Sequence, residues 1–395
     1  LQTQRLGRGN YNTAGFVMTT STLPRWAQRS ALVLALALGL AACGSKTPKP
    51  ADLGPNIPLL PVRQAWHSSI PSLKNASIAP QVVGQSLVLA AADGTVVSLD
   101  GATGREQWRG QVGKALLTGV GSDGTQAAVV TVANELVLLN QGRTQWSKPL
   151  NAASYTAPLV AGGRVFVLTA DRHLSACDAQ DGAHLWTLQR DGEPLVLRQQ
   201  GVLVAHGNTL LAGLSGRLVA IDPDNGAVLW EAPLAAPRGT NDVERLVDLV
   251  GPSTRNNDVV CARAYQASVG CVDVGQARLM WTAKATGAVG IASNAEQVFG
   301  SESNGTVQAW SRRDGSKQWS TQRLQLRQLT APLALGRSVV VGDSSGLVHM
   351  LSKDDGTPLN RLTTDSSGIA ATPVVVADTL VVLTRNGGVY GFRPD

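Results

Sequence analysis

The chain has 395 residues, of which 43% are hydrophobic and 16% are charged, and its formal net charge is +6. The apolar fraction is sufficient for a packed core. The positive charge does not indicate nucleic-acid binding, because Arg5, Arg8, Arg25 and Arg29 precede position 43 and no acidic residue does. Without those four arginines, 30 basic residues remain beside 28 acidic ones, a net of only +2.

The first predicted segment is a leader. Arg25 and Arg29 precede an apolar run from Ala31 to Ala42, which is too short to span a bilayer. The run ends Leu40-Ala41-Ala42-Cys43, which resembles the lipobox of bacterial lipoproteins; an ordinary signal peptide with a chance cysteine is the alternative. We expect residues 1–42 to be upstream sequence and a signal peptide that is removed, and Cys43 to carry lipid. Gly44 stands where an inner-membrane retention signal would have Asp, which points to the outer membrane.

Residues 43–58 are predicted to be a tether. They contain Pro48, Pro50, Pro55 and Pro58, and a proline-rich composition favours extended, weakly structured chain. We expect this tether to hold a globular body, residues 59–395, away from the membrane surface.

The body consists of eight variants of one segment, most of which end in tryptophan. The third runs from Ala157-Pro158 through two alternating apolar stretches to Asp181-Gly182 and Leu185-Trp186. The tryptophans recur with a period of about 40 residues, at Trp66, Trp108, Trp146, Trp186, Trp230, Trp281 and Trp319. Such a period with short alternating strands and glycine-bearing turns is typical of four-stranded blades. The sequence therefore predicts an all-β, eight-bladed β-propeller of antiparallel blades.

The predicted eighth blade lacks its last strand. The seventh unit ends near Leu362 without a tryptophan, and the eighth stops at Phe392. The missing strand is available at the other end of the body, in Pro61 to Trp66. We expect this N-terminal strand to pair with the C-terminal strands and close the ring, because closure hides sheet edges.

The sequence predicts no metal, cofactor or catalytic site. Asp222-Pro223-Asp224-Asn225-Gly226 superficially suggests a calcium loop, but Asp178 to Gly182 occupies the same place in another repeat, which indicates turn geometry instead. Cys261 and Cys271 fall on what look like adjacent strands of one hairpin. Either a cross-strand disulfide joins them, as an oxidising compartment permits, or they are two buried free thiols.

The repeat unit resembles the pyrroloquinoline-quinone-like repeat, which occurs in quinoprotein dehydrogenases and in the BamB family of outer-membrane lipoproteins. The dehydrogenases hold quinone with calcium, often beside a disulfide of adjacent cysteines, and this chain has no Cys-Cys pair. Lipobox, tether, eight units and closing strand together resemble the BamB family. That resemblance implies a non-catalytic, lipid-anchored periplasmic scaffold of the β-barrel assembly machinery, which docks on the periplasmic domains of BamA and could also meet unfolded outer-membrane proteins. A quinone-dependent periplasmic dehydrogenase and a generic protein-binding propeller stay open as alternatives.

The two longest repeats, which end at Trp230 and Trp281, carry the predicted docking residues. Extra residues lie at Arg190 to Gln200 and Pro237 to Asn257, and connections longer than a repeat requires are where propellers commonly place recognition. Leu195, Leu197 and Arg198 resemble the Leu-x-Leu-Arg loop by which the family contacts BamA. Arg245 and Asp248 resemble its second contact, usually Arg-Leu-x-Asp-x-Asp, in which Val250 replaces the last Asp.

Overall fold

The computed structural model describes residues 48–73, 79–192 and 195–395, and the strands in these ranges form eight four-stranded antiparallel sheets. All of these strands belong to one unit, Pro50–Asp395. The prediction of an eight-bladed propeller is confirmed. Across the same ranges, no helix combines the length and the apolar character that crossing a bilayer requires.

The first four blades follow one another in chain order, each with its innermost strand first. Their strands are, for blade 1, β2 (Gln81–Val83), β3 (Ser86–Ala90), β4 (Thr95–Asp100) and β5 (Glu106–Gln111); for blade 2, β6 (Gly121–Ser122), β7 (Gln126–Val130), β8 (Glu135–Asn140) and β9 (Arg143–Pro149); for blade 3, β10 (Leu159–Ala161), β11 (Arg164–Leu168), β12 (His173–Asp178) and β13 (His184–Gln189); and for blade 4, β14 (Leu203–His206), β15 (Thr209–Leu214), β16 (Arg217–Ile221) and β17 (Val228–Pro233).

The last blade combines both ends of the described body. The strands are, for blade 5, β18 (Leu249–Asn256), β19 (Val259–Ala264), β20 (Ser268–Asp273) and β21 (Arg278–Lys284); for blade 6, β22 (Ile291–Ser293), β23 (Gln297–Ser301), β24 (Val307–Ser311) and β25 (Lys317–Thr321); for blade 7, β26 (Leu333–Leu335), β27 (Ser338–Gly342), β28 (Leu347–Ser352) and β29 (Pro358–Thr363); and for blade 8, β30 (Val374–Val376), β31 (Thr379–Leu383), β32 (Gly388–Pro394) and β1 (Val62–Ser69).

Antiparallel strands divide the connections between two faces of the ring. The segments that join one blade to the next lie on the same face as the hairpins between second and third strands, and we call this the connection face. The other hairpins lie on the opposite face. Segments between blades are free of hairpin geometry and vary in length, so the connection face is where this fold can add sequence.

At four of the described junctions, the repeated tryptophan joins a blade to the following one. The indole N–H of Trp146 donates to the carbonyl of Ala179 in blade 3 at 3.0 Å, and that of Trp186 donates to the carbonyl of Pro223 in blade 4 at 2.9 Å. Trp281 and Trp319 make the same bond to blades 6 and 7. A large ring with one polar atom suits this place, because it covers an apolar seam and satisfies its donor.

A glycine in the following blade receives each of these rings. A Cβ on Gly226 would lie 2.6 Å from the ring of Trp186, and a Cβ on Gly356 would lie 2.7 Å from the ring of Trp319. Each of these glycines stands four residues before the tryptophan position of its own blade. The pattern Gly-x-x-x-Trp therefore contributes to two successive junctions. Its glycine receives the tryptophan of the preceding blade, and its tryptophan packs on the glycine of the following blade. This explains why glycine and tryptophan recur together.

Some joints depart from this pattern. Ala277 occupies the glycine position of blade 5, and Trp230, which faces that blade, is only half-buried. In blade 7 the tryptophan position is Asn360, which pairs with Met350 as Trp319 pairs with Ala309. The unit ends with β29, near Leu362 as the sequence predicts, and its tryptophan position lies two residues before Leu362.

Strand β1 closes the ring, as the sequence predicts. It pairs antiparallel with β32, from Val62 opposite Pro394 to Ser69 opposite Gly388, with a bulge between Gln64 and Trp66. Trp66 rests on Gly104 of blade 1, so blade 8 packs on blade 1 by the same ring-on-glycine contact as other neighbours, although the indole N–H of Trp66 is buried without a hydrogen-bond partner. One continuous apolar cluster spans this junction and includes Leu87 and Val381.

Two further contacts involve strands of blade 5. Arg263 is fully buried and donates to the carboxylate of Glu302 at 2.8 Å, with Trp310 beside its guanidinium. Cys261 and Cys271 lie directly opposite each other on β19 and β20, and the structure joins them by a disulfide, while Cys177 is a buried thiol.

The tether does not behave as expected along its described length. Residues 51–60, which we call the strap, contact blades 6 and 7 and so are not the weakly structured chain that their composition predicts. Leu53 packs against the cluster that contains Trp319, and Leu60 packs against the cluster that contains Phe392. Composition alone predicts weak structure, but apolar residues between the prolines allow the strap to pack.

Removing the ring that joins blade 8 to blade 1 tests the closure. We expect Trp66→Ala to lower the free energy of unfolding by about 3–5 kcal/mol, because it leaves a cavity over Gly104. Trp108→Ala is the matched control: its ring is half-buried, and we expect a loss about 2 kcal/mol smaller. Urea denaturation measures both, and equal losses would contradict a closing role for Trp66.

Candidate partner-docking surface

Two long connections on the connection face carry the predicted docking residues. The first lies between β13 and β14, and the second, residues 234–248, lies between β17 and β18. They are neighbours, because they flank blade 4. The second is shorter than the predicted segment Pro237 to Asn257, since Leu249–Asn256 forms β18. Residues 193 and 194 lie outside the described part of the first connection.

Asp248 holds the first connection in place. Its carboxylate accepts the backbone N–H of Leu197 at 3.1 Å, and it lies 3.4 Å from the guanidinium of Arg172. Arg172 in turn donates to the carbonyl of Leu195 at 3.1 Å. The Asp248 side chain is 19% exposed and that of Arg172 is 9% exposed, so the ion pair is largely shielded from water. The two connections are therefore bonded to each other both directly and through Arg172 of blade 3.

Arg172 was missed by the sequence analysis, although the repeat contains a signal for it. Its N–H closes the middle hairpin of blade 3, at a position that holds Gly94, Gly305, Gly346 and Gly387 in other blades. Arg172 adopts φ 63°, the left-handed conformation that those glycines occupy readily. For arginine this conformation costs about 1–2 kcal/mol. A bulky residue at a repeated glycine position marks a local requirement other than the turn.

The docking residues differ in what they present to solvent. Leu195 is 41% exposed, Arg198 is exposed, and the guanidinium of Arg198 lies 5.4 Å from the ring centre of Tyr155. Leu197 is half-buried and lines a cavity of about 50 Å³ between the two connections. Of the two leucines in this loop, one is therefore exposed and one is half-buried.

The second connection adds an apolar residue that the sequence analysis did not name. Val243 is 71% exposed beside the exposed Arg245, and the turn that carries them is capped by Glu244, which accepts the N–H of Thr240 at 2.9 Å. Hydrogen bonds from the Thr240 backbone, above all, hold the pKa of Glu244 below its ordinary value, so the cap is ionised at neutral pH. Val250 is buried in β18 and does not reach this surface.

Two other predictions concern different parts of the chain. Cys43 lies outside the described residues. The loop Asp222 to Gly226 forms a turn in which Asp222 accepts the N–H of Asp224 and the side-chain amide of Asn225. Over the ranges that the structure describes, no three His, Cys, Asp or Glu side chains are grouped as metal ligands would be.

Comparison with known proteins gives one consistent family. A family model described as outer membrane protein assembly factor BamB matches residues 63–117 and 92–321. A protein of that name from Burkholderia pseudomallei is 37% identical over 94% of this chain and 99% of its own length. Its namesake from Bordetella pertussis is 34% identical over 95% of this chain and its full length. The chain belongs to the BamB family.

Solved structures of BamB and of other proteins share the fold. The crystal structure of BamB from Moraxella catarrhalis has a TM-score of 0.76 at 24% identity, covering 84% of this chain and 99% of its own. A quinohemoprotein alcohol dehydrogenase from Pseudomonas putida has a TM-score of 0.64 at 13% identity, covering 86% of this chain and 77% of its own. Likenesses at this identity show the propeller fold alone.

Replacing Arg172 tests whether it positions the first connection. We expect Arg172→Gly to relieve the left-handed strain and so leave the unfolding midpoint nearly unchanged. The amide of Leu197 should exchange with solvent about tenfold faster, because its bond to Asp248 loses support. Asn134→Gly is the control, since Asn134 holds the same hairpin position in blade 2 with φ 57°. Hydrogen exchange of Leu197 that is equal in both variants would contradict the assignment.

Proposed function

We propose that this protein is a lipid-anchored, non-catalytic scaffold of the machinery that assembles outer-membrane β-barrels. Relatives with 34–37% identity over nearly their whole length are named outer membrane protein assembly factors. In this proposal residues 1–42 are removed, Cys43 carries lipid in the outer membrane, and the propeller faces the periplasm. The residues at the two long connections dock on the periplasmic domains of BamA.

The observation that carries the docking proposal is the Arg172–Asp248 pair. A strained arginine conformation persists only where surrounding contacts maintain it, and such strain is common at functional sites. Here it fixes the backbone on either side of Val196, next to the exposed Leu195 and Arg198. A surface held rigid before binding loses less conformational entropy when a partner docks. In this proposal Asp248 positions the first connection, and the residues that contact the partner are Leu195, Arg198, Val243 and Arg245.

The chemistry of these residues suits a protein partner. Leu195 and Val243 supply exposed apolar area on neighbouring connections. Arg198 and Arg245 supply planar groups with several donors, which match carboxylates and backbone carbonyls. Interface energy is commonly concentrated in a few residues of this kind.

Truncating the first connection tests the docking site. We expect the triple variant Leu195→Ala, Leu197→Ala, Arg198→Ala to bind purified BamA periplasmic domains at least about thirtyfold more weakly, since losing a binding hot spot costs about 2 kcal/mol. Titration calorimetry measures the affinity.

The control removes the same side chains elsewhere. Leu185 and Leu229 are exposed on the outer strands of blades 3 and 4, and Arg105 is exposed on the opposite face. Their triple alanine variant should bind like the wild type. Wild-type affinity in the Leu195, Leu197 and Arg198 variant would refute the site and favour a quinone-dependent or generic binding propeller, which quinone reconstitution with an activity assay would then separate.

Replacing the lipidated cysteine tests the anchor. We expect Cys43→Ser to abolish lipid attachment, because serine lacks the thiol that forms the thioether, and to leave an unprocessed precursor or a soluble product. Membrane fractionation and mass spectrometry of the purified chain measure both. Cys177→Ser is the control, since Cys177 is a buried thiol inside blade 3. Unchanged fractionation and mass shift in Cys43→Ser would rule out the lipoprotein assignment.

A further inference from the structure

The strap crosses the whole height of blade 7. At its start, the N–H of Ala51 donates to the carbonyl of Gln325 at 3.0 Å, in the segment that joins blades 6 and 7 on the connection face. Near its end, the N–H of Leu59 donates to the carbonyl of Leu359 at 2.7 Å, and Arg337 of the opposite-face hairpin donates to the carbonyl of Leu59. The chain therefore descends along the outside of blade 7 before β1 turns back.

This path passes the junction between blades 7 and 8, where the tryptophan–glycine contact is missing. Within the described strands, the junction between blades 7 and 8 has no tryptophan, because Asn360 occupies its position. It has no receiving glycine either, because the third and fourth strands of blade 8 come from opposite ends of the body and are not joined by a hairpin. Asn360 instead donates to the carbonyl of Leu60 at 2.7 Å and accepts from the amide of Asn56 at 3.2 Å. The strap fills the place of the missing joint.

Two arginines hold the strap at its connection-face end. Arg361 donates to the carbonyl of Gly54 at 3.0 Å, and Arg327 donates to the carbonyl of Ala51 at 2.6 Å. Arg327 also lies 3.3 Å from the carboxylate of Asp343, whose side chain is fully buried. Burial alone would raise the pKa of Asp343, but hydrogen bonds from His349, Ser345 and Leu347 hold that pKa well below its ordinary value. Arg327, which binds the strap, is thus paired with the ionised carboxylate of Asp343 inside blade 7.

We propose that the strap fixes the amino-terminal exit of the body on the connection face and thereby turns that face toward the lipid surface. This inference rests on the proposed lipid anchor at Cys43. Only a short segment separates Cys43 from Pro50, and a chain of that length spans at most about 25 Å. A free tether beginning at β1 would leave from the opposite face and be longer by the whole strap. The anchor leaves between blades 6 and 7, on the same face as the connections that flank blade 4.

Energy transfer to labelled lipid tests the orientation. The full-length lipoprotein is reconstituted in phosphatidylcholine vesicles that contain an acceptor-labelled lipid. A donor dye is attached at Ser303→Cys or at Arg313→Cys, two exposed positions of blade 6 on the connection face and the opposite face, respectively. We expect the transfer efficiency to be higher from position 303. Equal efficiencies, or a higher efficiency from position 313, would overturn the proposal.

Releasing the strap provides the second arm. In the double variant Arg327→Gln, Arg361→Gln, the strap is released and the free chain between Cys43 and the body becomes longer by the strap. The difference in transfer efficiency between the two dye positions should therefore disappear. The amide of Ala51 should exchange about tenfold faster. The exposed pair Arg105→Gln, Arg278→Gln is the control and should keep the wild-type difference. A difference that persists after release would overturn the role of the strap. Failure of the protein to stay on vesicles would instead refute the lipid anchor, whereas the outcome of BamA titration bears on neither arm.

Discussion

The contact between a tryptophan of one blade and a glycine of the next is the constraint on which the ring depends. Apolar sheets stacked face to face could slide or splay, because dispersion and burial are not directional. The indole N–H supplies direction, since it donates to one carbonyl of the neighbouring blade. The glycine supplies proximity, since any side chain there would collide with the ring. Repeating this contact sets the spacing of the blades and leaves the connection face free to vary.

The proposed docking surface lies where this constraint is relaxed. Blade 4 is followed by a blade with Ala277 instead of the receiving glycine, and the long connection 234–248 spans that junction. Similarly, the strap occupies the junction between blades 7 and 8, where both halves of the contact are missing. At the junction between blades 7 and 8, another chain segment has therefore taken over the packing.

The fold is predictable from the sequence because the same pattern occurs in several repeats. The regular period and the tryptophan positions predicted eight blades and the closing strand, which β1 confirms. The site was readable only in part. Sequence placed Asp248 and Leu197 near each other in two unusual connections, but it could not show that Asp248 bonds the Leu197 backbone, because that contact joins residues 51 positions apart. The packing of the strap is not predictable from composition for a related reason. Proline content describes the isolated chain, whereas Arg327 and Asn360, which are distant in the sequence, hydrogen-bond to the backbone of the strap.

Closure of the ring by β1 has a consequence for the order in which the protein folds. A chain made from its amino terminus produces β1 first, yet the partner of β1 is β32, which is the last strand of the described body. The first seven blades need mostly neighbouring segments, whereas the eighth can close only after all the others have been made, through a loop that contains them. Throughout synthesis β1 is a strand without a partner, with Trp66 exposed. Polar and charged residues flank that ring in the sequence, namely Arg63, Gln64 and His67. Such residues favour the solubility of an unpaired β1 until β32 is available to pair with it.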